Sequence, residues 1–217
     1  MKITAPRRGR PREFDPDQAL SSALQIFWRL GYEGASLADL TEAMGITKPS
    51  LYACFGNKEA LFHKALDLYE RDKLRYMRSA LQEPTARAVT ERLLHGTLAI
   101  QTGSDDPRAC LGVMSMVACT THAESIKGDV VARQASSTKA LAERFARARD
   151  EGDLPPDLEP QALATFVLAI MQGMGVQAGA GASTGQLQQL VDVTLMLWPV
   201  PESVIARPAI LIAAAQA

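Results

Sequence analysis

The stretch 36–57 constrains this chain more than any other, because consecutive residues there write two short helices, the bend between them and the cap of a further helix. Ser36 with Asp39 is a capping-box pair, and Leu37, Leu40 and Met44 form the buried side of the helix it opens. Gly45 ends that helix, since glycine accepts a left-handed backbone that other residues resist. Thr47 caps a very short helix in which Pro49 is tolerated, because first-turn amides have no intrahelical partner. Helices joined at Met44-Gly45-Ile46 have the length and turn chemistry of a helix-turn-helix, whose second helix lies in the DNA major groove. Ile46 plugs the corner. Within 47–55, Leu51 and Phe55 face the core and leave Lys48, Ser50, Tyr52 and Ala53 outward. Lysine and a tyrosine hydroxyl bind phosphate oxygens, serine serves a phosphate or a base edge, and Pro49 offers apolar contact such as to a thymine methyl. Hairpins of this size also occur in helical bundles of every function, so the motif alone leaves that reading open.

The rest of the pattern is helical. Aromatic content is 6%, β-branched alternation is absent and apolar residues recur at helical spacing, so the fold class is all-α. A first helix starts near Asp15-Pro16, carries one stripe of Ala19, Leu20, Ala23, Leu24, Phe27 and Trp28, and stops at Gly31. Asn57 caps a fourth that runs through Leu61, Phe62, Ala65, Leu66 and Tyr69 to about Leu81. Beyond Pro84 the spacing predicts helices near 85–102, 107–123, 129–151, 160–179 and 185–198, punctuated by 103–107, Gly128 and 152–160. About nine helices are expected in all, enough for one helical core or for a small head joined to a larger helical body. The divisions are a basic arm over 1–12, the head over 13–57, the body over 58–199 and an apolar tail over 200–217.

Charge is nearly balanced, with 23 Lys and Arg against 24 Asp and Glu, so no global field attracts nucleic acid. Lys2, Arg7, Arg8, Arg10 and Arg12 concentrate positive charge in the arm, where it can reach phosphates or a minor groove, or simply be solvated. Three cysteines without framework spacing fit a reducing compartment, which points to the cytoplasm. No signal-peptide pattern is present, and apolar stretches are interrupted by Gly, Gln or Pro short of roughly 20 residues, so no membrane partner is expected. The apolar run 209–215 in the tail is expected to pack on the body. A helical enzyme finds little support: no Ser-His-Asp signature, glycine-rich phosphate loop or two-pair metal spacing, and only 3 histidines.

The run 14–72 resembles the N-terminal domain of TetR/AcrR-family transcriptional regulators. The resemblance is carried by Ala23-Leu24-Gln25-Ile26-Phe27, Gly31-Tyr32, Ser36-Leu37-Ala38-Asp39-Leu40, Gly45-Ile46-Thr47-Lys48-Pro49-Ser50-Leu51-Tyr52 and Phe55-Gly56-Asn57-Lys58-Glu59-Ala60-Leu61. It implies a three-helix DNA-binding head followed by a larger helical domain, with DNA contacts from Ser36, Lys48, Pro49, Ser50, Tyr52 and Lys58. Cys54 departs from the histidine or polar residue usual at its position. The same resemblance implies a homodimer reading the two half-sites of a near-palindromic double-stranded operator, and a body that binds a small-molecule effector and dimerises. The last two helices become the dimer bundle, through Ala162, Ala164, Val167, Leu168 and Met171, then Leu187, Leu190, Val191, Thr194, Leu195 and Trp198. Ordinary monomer core is the alternative for that surface. The proline-bearing loop at the start of 150–164 resembles the one that often precedes this bundle.

Cys110 follows Pro107-Arg108-Ala109 in the first turn of a predicted helix, where the helix dipole and an arginine favour the thiolate. Ala109-Cys110-Leu111 resembles the reactive-cysteine stretch of electrophile- and hypochlorite-sensing members of that family. The competing expectation is a small buried hydrophobe. Cys119 and His122 lie on one helix face, within possible reach of Glu124 and His95, but no second ligand pair has recognisable spacing; no metal and no cofactor is expected. His95, Met114, Cys119, His122 and Met171 are candidates for the effector pocket, with further methionines as adaptable lining or filler. His63 either bonds between head and body or faces solvent. Two signals therefore compete for one DNA-binding regulator, expected to be a repressor: a small apolar effector, or a redox or electrophile switch at Cys110.

Overall fold

A computed structural model describes residues 14–104, 106–118 and 123–201, which form helices and turns with no strand among them. In chain order the helices are α1 (Pro16–Gly34), α2 (Leu37–Met44), α3 (Lys48–Phe55), α4 (Lys58–Asp72), α5 (Arg75–Ala80), α6 (Ala86–Thr102), α7 (Leu111–Ala118), α8 (Glu124–Asp150), α9 (Pro160–Gly179) and α10 (Thr184–Met196). The all-α expectation holds. The arm 1–12, Cys119, His122 and the tail beyond Pro201 lie outside the described residues.

Two compact units emerge, one from the described residues of Met1–Leu74 and Asp105–Val130, the other from those of Arg75–Ser104 and Val131–Ala217. In the first, α1 packs on α2, α4 and α7. Asp15 accepts the Asp17 amide at 2.9 Å and Pro16 opens α1, while Gly31, at φ 69°, interrupts it where the sequence places its end. The stripe Ala23, Leu24, Phe27 and Trp28 is buried. Phe27 meets Phe62 edge to face at 5.0 Å between ring centroids, and Trp28 meets Tyr69 likewise at 4.7 Å. Such pairs add about 0.5–1.5 kcal/mol beyond the area they bury.

The second unit centres on α6, α9 and α10, with Leu93, Leu94, Phe145, Val167, Met174, Leu187 and Val191 in one core. Arg144 is buried and donates through Nη2 to the carbonyls of Glu83 and Pro84 at 2.8 and 3.1 Å, fixing the link between α5 and α6. Burial, and then the neighbouring Arg147, lower the pKa of its guanidinium. By length and composition α9 could cross a membrane, for Gln172-Gly173, expected to interrupt the apolar run, lies inside the helix. Leu163, Ala164, Val167, Leu168, Met171 and Met174 instead fill the core of this unit.

Three boundaries differ from the sequence expectation. The fourth predicted helix is two: α4 ends at Asp72, where Lys73 and Leu74 both donate to the Tyr69 carbonyl, and α5 follows. Tertiary contacts account for the break. Lys73 is drawn to Asp106, and the Tyr76 ring lies on Gly96, where a Cβ would stand 2.1 Å from Tyr76 Cδ2. Next, α7 starts at Leu111 rather than 107, with the Cys110 carbonyl accepting the Met114 amide at 2.9 Å, so Cys110 precedes the first turn instead of lying in it. α8 starts at Glu124 and runs through Gly128, which sequence marks as a break. Glycine costs a helix interior about 1 kcal/mol, offset by burial of Ile126 and Val130 on either side.

Candidate nucleic-acid interface

Local chemistry fixes the geometry of the motif. Ser36 Oγ accepts the Asp39 amide at 3.1 Å while Asp39 Oδ2 accepts the Ser36 amide at 3.0 Å. Hydrogen bonding from Ser36, its side chain first and its backbone amide second, holds the Asp39 carboxyl below its ordinary pKa. At the bend Gly45 takes φ 63° and ψ 31°, and the Ile46 amide reaches back to the Thr41 carbonyl at 3.0 Å in a Schellman closure. A Cβ at Gly45 would meet nothing within 4 Å, so backbone conformation, not space, demands glycine.

Thr47 Oγ1 accepts the Ser50 amide at 3.3 Å and stands 3.0 Å from Ser50 Oγ. Leu51 and Phe55 are buried, and Lys48, Pro49, Tyr52 and Ala53 are exposed, Tyr52 by 50%. This is the division that the spacing predicts. Ser50 is half-buried, and its hydroxyl shares a hydrogen bond with Thr47 while keeping capacity for a second partner. Ser36 is exposed at the start of α2. Asn57 Oδ1 accepts the Ala60 amide at 2.7 Å to open α4. Lys58 Nζ sits 4.4 Å above the Tyr32 ring, where burial lowers its pKa and Glu33 partly opposes the shift. Cys54 is a half-buried free thiol.

Between Ser36 and Gly56 the only cation is Lys48, against Asp39 and Glu42. Side-chain charge alone therefore does not make this face attractive to phosphate. The first turn of α3 has no acidic residue, which leaves its free amide dipoles unopposed. What the arrangement offers DNA is a short exposed helix carrying a cation, a phenol, a hydroxyl and two small apolar surfaces.

The other sequence candidates are dispersed. His63 Nδ1 pairs with Asp129 Oδ2 at 2.8 Å, with Glu59 on its other side and Ser125 bonded to Glu59. Cys110 is half-buried and Met114 37% exposed, both in the first unit. His95 is exposed on α6, and Met171 lies in the core of the second unit. Cys119 and His122 lie outside the described residues. Among those residues no three His, Cys, Asp or Glu gather as metal ligands would.

The surface expected to dimerise separates into two faces. Ala164, Val167, Leu168, Met171, Leu187, Val191 and Trp198 belong to the core of their own unit. Phe166, Val176, Leu190, Val193, Met196 and Leu197 are exposed, and of these only Leu190 is singled out by the sequence reading. Their signal was an apolar pattern covering more than one helix face.

The chain is similar to known regulators. The family model described as bacterial regulatory proteins, tetR family, matches residues 19–65. The HTH-type transcriptional repressor ComR of Escherichia coli is 36% identical over 195 residues, which span 88% of this chain and 92% of ComR. The repressor BdcR of the same organism is 28% identical, over 82% of this chain and 86% of BdcR. A cysteine variant of the TetR-family regulator CifR, solved with 26-base-pair double-strand operator DNA, is 42% identical, covers 88% of this chain and all of its own, and superposes with a TM-score of 0.83.

Proposed function

This chain belongs to the TetR family of bacterial regulatory proteins, and from that premise we propose that it is a dimeric repressor whose α3 reads an operator and whose body receives the releasing signal. The exposed face of α3, braced from behind by Leu51 and Phe55, carries this reading. Lys48 and Tyr52 bind phosphate oxygens; Pro49 and Ser50 face base edges; Ser36 and Lys58 add contacts at the starts of α2 and α4. The arm 1–12 supplies phosphate or minor-groove contacts to a head over 13–57. The body spans 58–199, followed by the tail 200–217. Operator binding places the protein in the cytoplasm.

Dimerisation is supported by α9 and α10. Of the 11 large hydrophobics exposed by more than a third among the described residues, Phe166, Val176, Leu190, Val193, Met196, Leu197 and Val200 lie on or just after these two helices. Such a concentration asks for a cover, and a second copy supplies it with twofold symmetry. Selection of bound sequences from random DNA tests the function: a near-palindrome with half-sites on successive turns is expected. Failure to enrich any sequence would reject it.

The signal is a small apolar molecule that binds the operator-competent and released states with different affinity. His95, Met114, Cys119, His122 and Met171 are the pocket candidates. Operator affinity measured with and without metabolite fractions decides this: an effector that leaves it unchanged is no effector. A second reading, alkylation or oxidation at Cys110, is favoured by that thiol standing half-buried in the same unit as α3. Cys110→Ser then abolishes oxidant-induced release and leaves basal affinity intact.

A further inference from the structure

Residues 106–110 are remote from α1 in sequence but fastened to it in space. Gln25 Nε2 donates to Asp106 Oδ1 at 3.2 Å, and about one turn on Trp28 Nε1 donates to the Ala109 carbonyl at 2.6 Å. The other Asp106 oxygen, Oδ2, takes Lys73 Nζ at 2.5 Å, just past the end of α4. Asp106 thus ties α1 to α4 through one carboxylate. Its side chain is 15% exposed and Trp28 is 1% exposed, so water competes weakly for either contact. An indole has one donor and no acceptor, and burial makes that bond obligatory. Immediately afterwards Leu111 and Ser115 of α7 are buried, and α7 packs against α1.

The pairing along α1 and α4 gives the tie a mechanical meaning. Tyr32 lies under Lys58, Phe27 meets Phe62, Trp28 meets Tyr69, and Gln25 reaches Lys73 through Asp106. The two helices therefore run antiparallel, with the end at Lys58 adjoining α3 and Asp106 closing the opposite end. Of the described helices α3 packs chiefly on α2 and α4, so its pose is inherited from the α1–α4 pair.

We propose that residues 106–110 are a clamp that sets the angle between α1 and α4 and thereby the pose of α3 on DNA, with Asp106 and Trp28 as positioning residues for operator recognition. The inference rests on the DNA-binding reading above. It assigns a role in the head to a segment that follows α6 in the chain.

The test uses the full chain and the operator recovered by selection. Trp28→Phe keeps a ring against Tyr69 and removes the donor; Asp106→Asn keeps the shape and removes the charge facing Lys73. Each lowers operator affinity about tenfold while affinity for random duplex, set mainly by phosphate charge, stays within about twofold. Reversing the pair, with Asp106→Lys and Lys73→Asp together, restores operator affinity to within about threefold, since the Gln25 amide can turn to present its oxygen. In a Trp198→Phe background Trp28 is the sole tryptophan, and Asp106→Asn shifts its emission to the red.

The clamp is overturned if folded variants bind operator as tightly as the parent, or if operator and random duplex lose affinity by one factor. Should Trp28→Phe fail to fold, Asp106→Asn and the reversed pair decide alone. A parent that prefers no duplex sequence refutes DNA recognition and the clamp together; a selective parent with equally selective variants refutes the clamp only.

Discussion

Two surfaces of this molecule leave side chains uncovered, and they do so in opposite ways. α3 exposes Lys48, Pro49, Tyr52 and Ala53, of which the lysine and the phenol are well solvated in water. α10 and the residue after it expose Leu190, Val193, Met196 and Leu197, the last two by 76% and 73%. Water satisfies the first surface and not the second. Apolar area left in water forgoes about 25 cal/mol per Å², so the α10 face favours permanent cover by a second copy, whereas α3 can stay bare until DNA arrives. For the proposed dimeric repressor, constitutive assembly and conditional DNA binding follow from the kind of surface each helix presents.

The largest test strikes the second surface. Val193→Asp with Met196→Asp places charge where a partner would sit, and analytical ultracentrifugation should find monomers. Operator affinity should then fall by about 100-fold or more, because two half-sites are no longer bound by one particle. A variant that remains dimeric would move the interface elsewhere. Next in size, Tyr52→Ala should weaken all operators by about tenfold alike, and Lys48→Ala should lower the salt slope of binding by about 1. If either acts on a single operator only, that side chain reads bases rather than phosphate.

Gly45→Ala probes how the first surface is held. With φ at 63° the added Cβ is strained although nothing touches it, and a loss of about 1–2 kcal/mol in chemical denaturation is expected. An unchanged midpoint would mean the bend adapts. The smallest effect on total affinity belongs to Ser50→Ala. It should leave overall binding within about threefold but relax preference at one base position, read by repeating the selection. Uniform scaling at Ser50 would collapse the distinction between positioning and reading on α3.

The head was legible because its determinants are local. The Ser36–Asp39 box, the Thr47 and Asn57 caps, and the positive φ at Gly45 are each decided within a few residues, and each appears as the residue types demand. The α4–α5 break was not legible, since no Gly or Pro marks residues 72–75; Lys73 and Tyr76 are placed by Asp106 and Gly96, both distant in sequence. Gly128 misled in the other direction. One glycine is a weak breaker once neighbours on the same helix are buried.

The α9–α10 surface was half legible. Apolar residues on more than one face of each helix announced surplus apolar area, but only packing shows that Leu187 and Val191 are core while Val193 and Met196 are bare.

The sequence by itself determined the helical class, the bend and caps of the α2–α3 motif, and which of its side chains point outward, because hydrogen bonds and steric preferences over three or four residues settle those. Tertiary structure alone decided where α4 stops, where α7 starts, which apolar face of α10 is left over, and that Trp28 donates to a carbonyl 81 residues away. Contacts of that span depend on where distant segments come to rest, and no local pattern encodes the address.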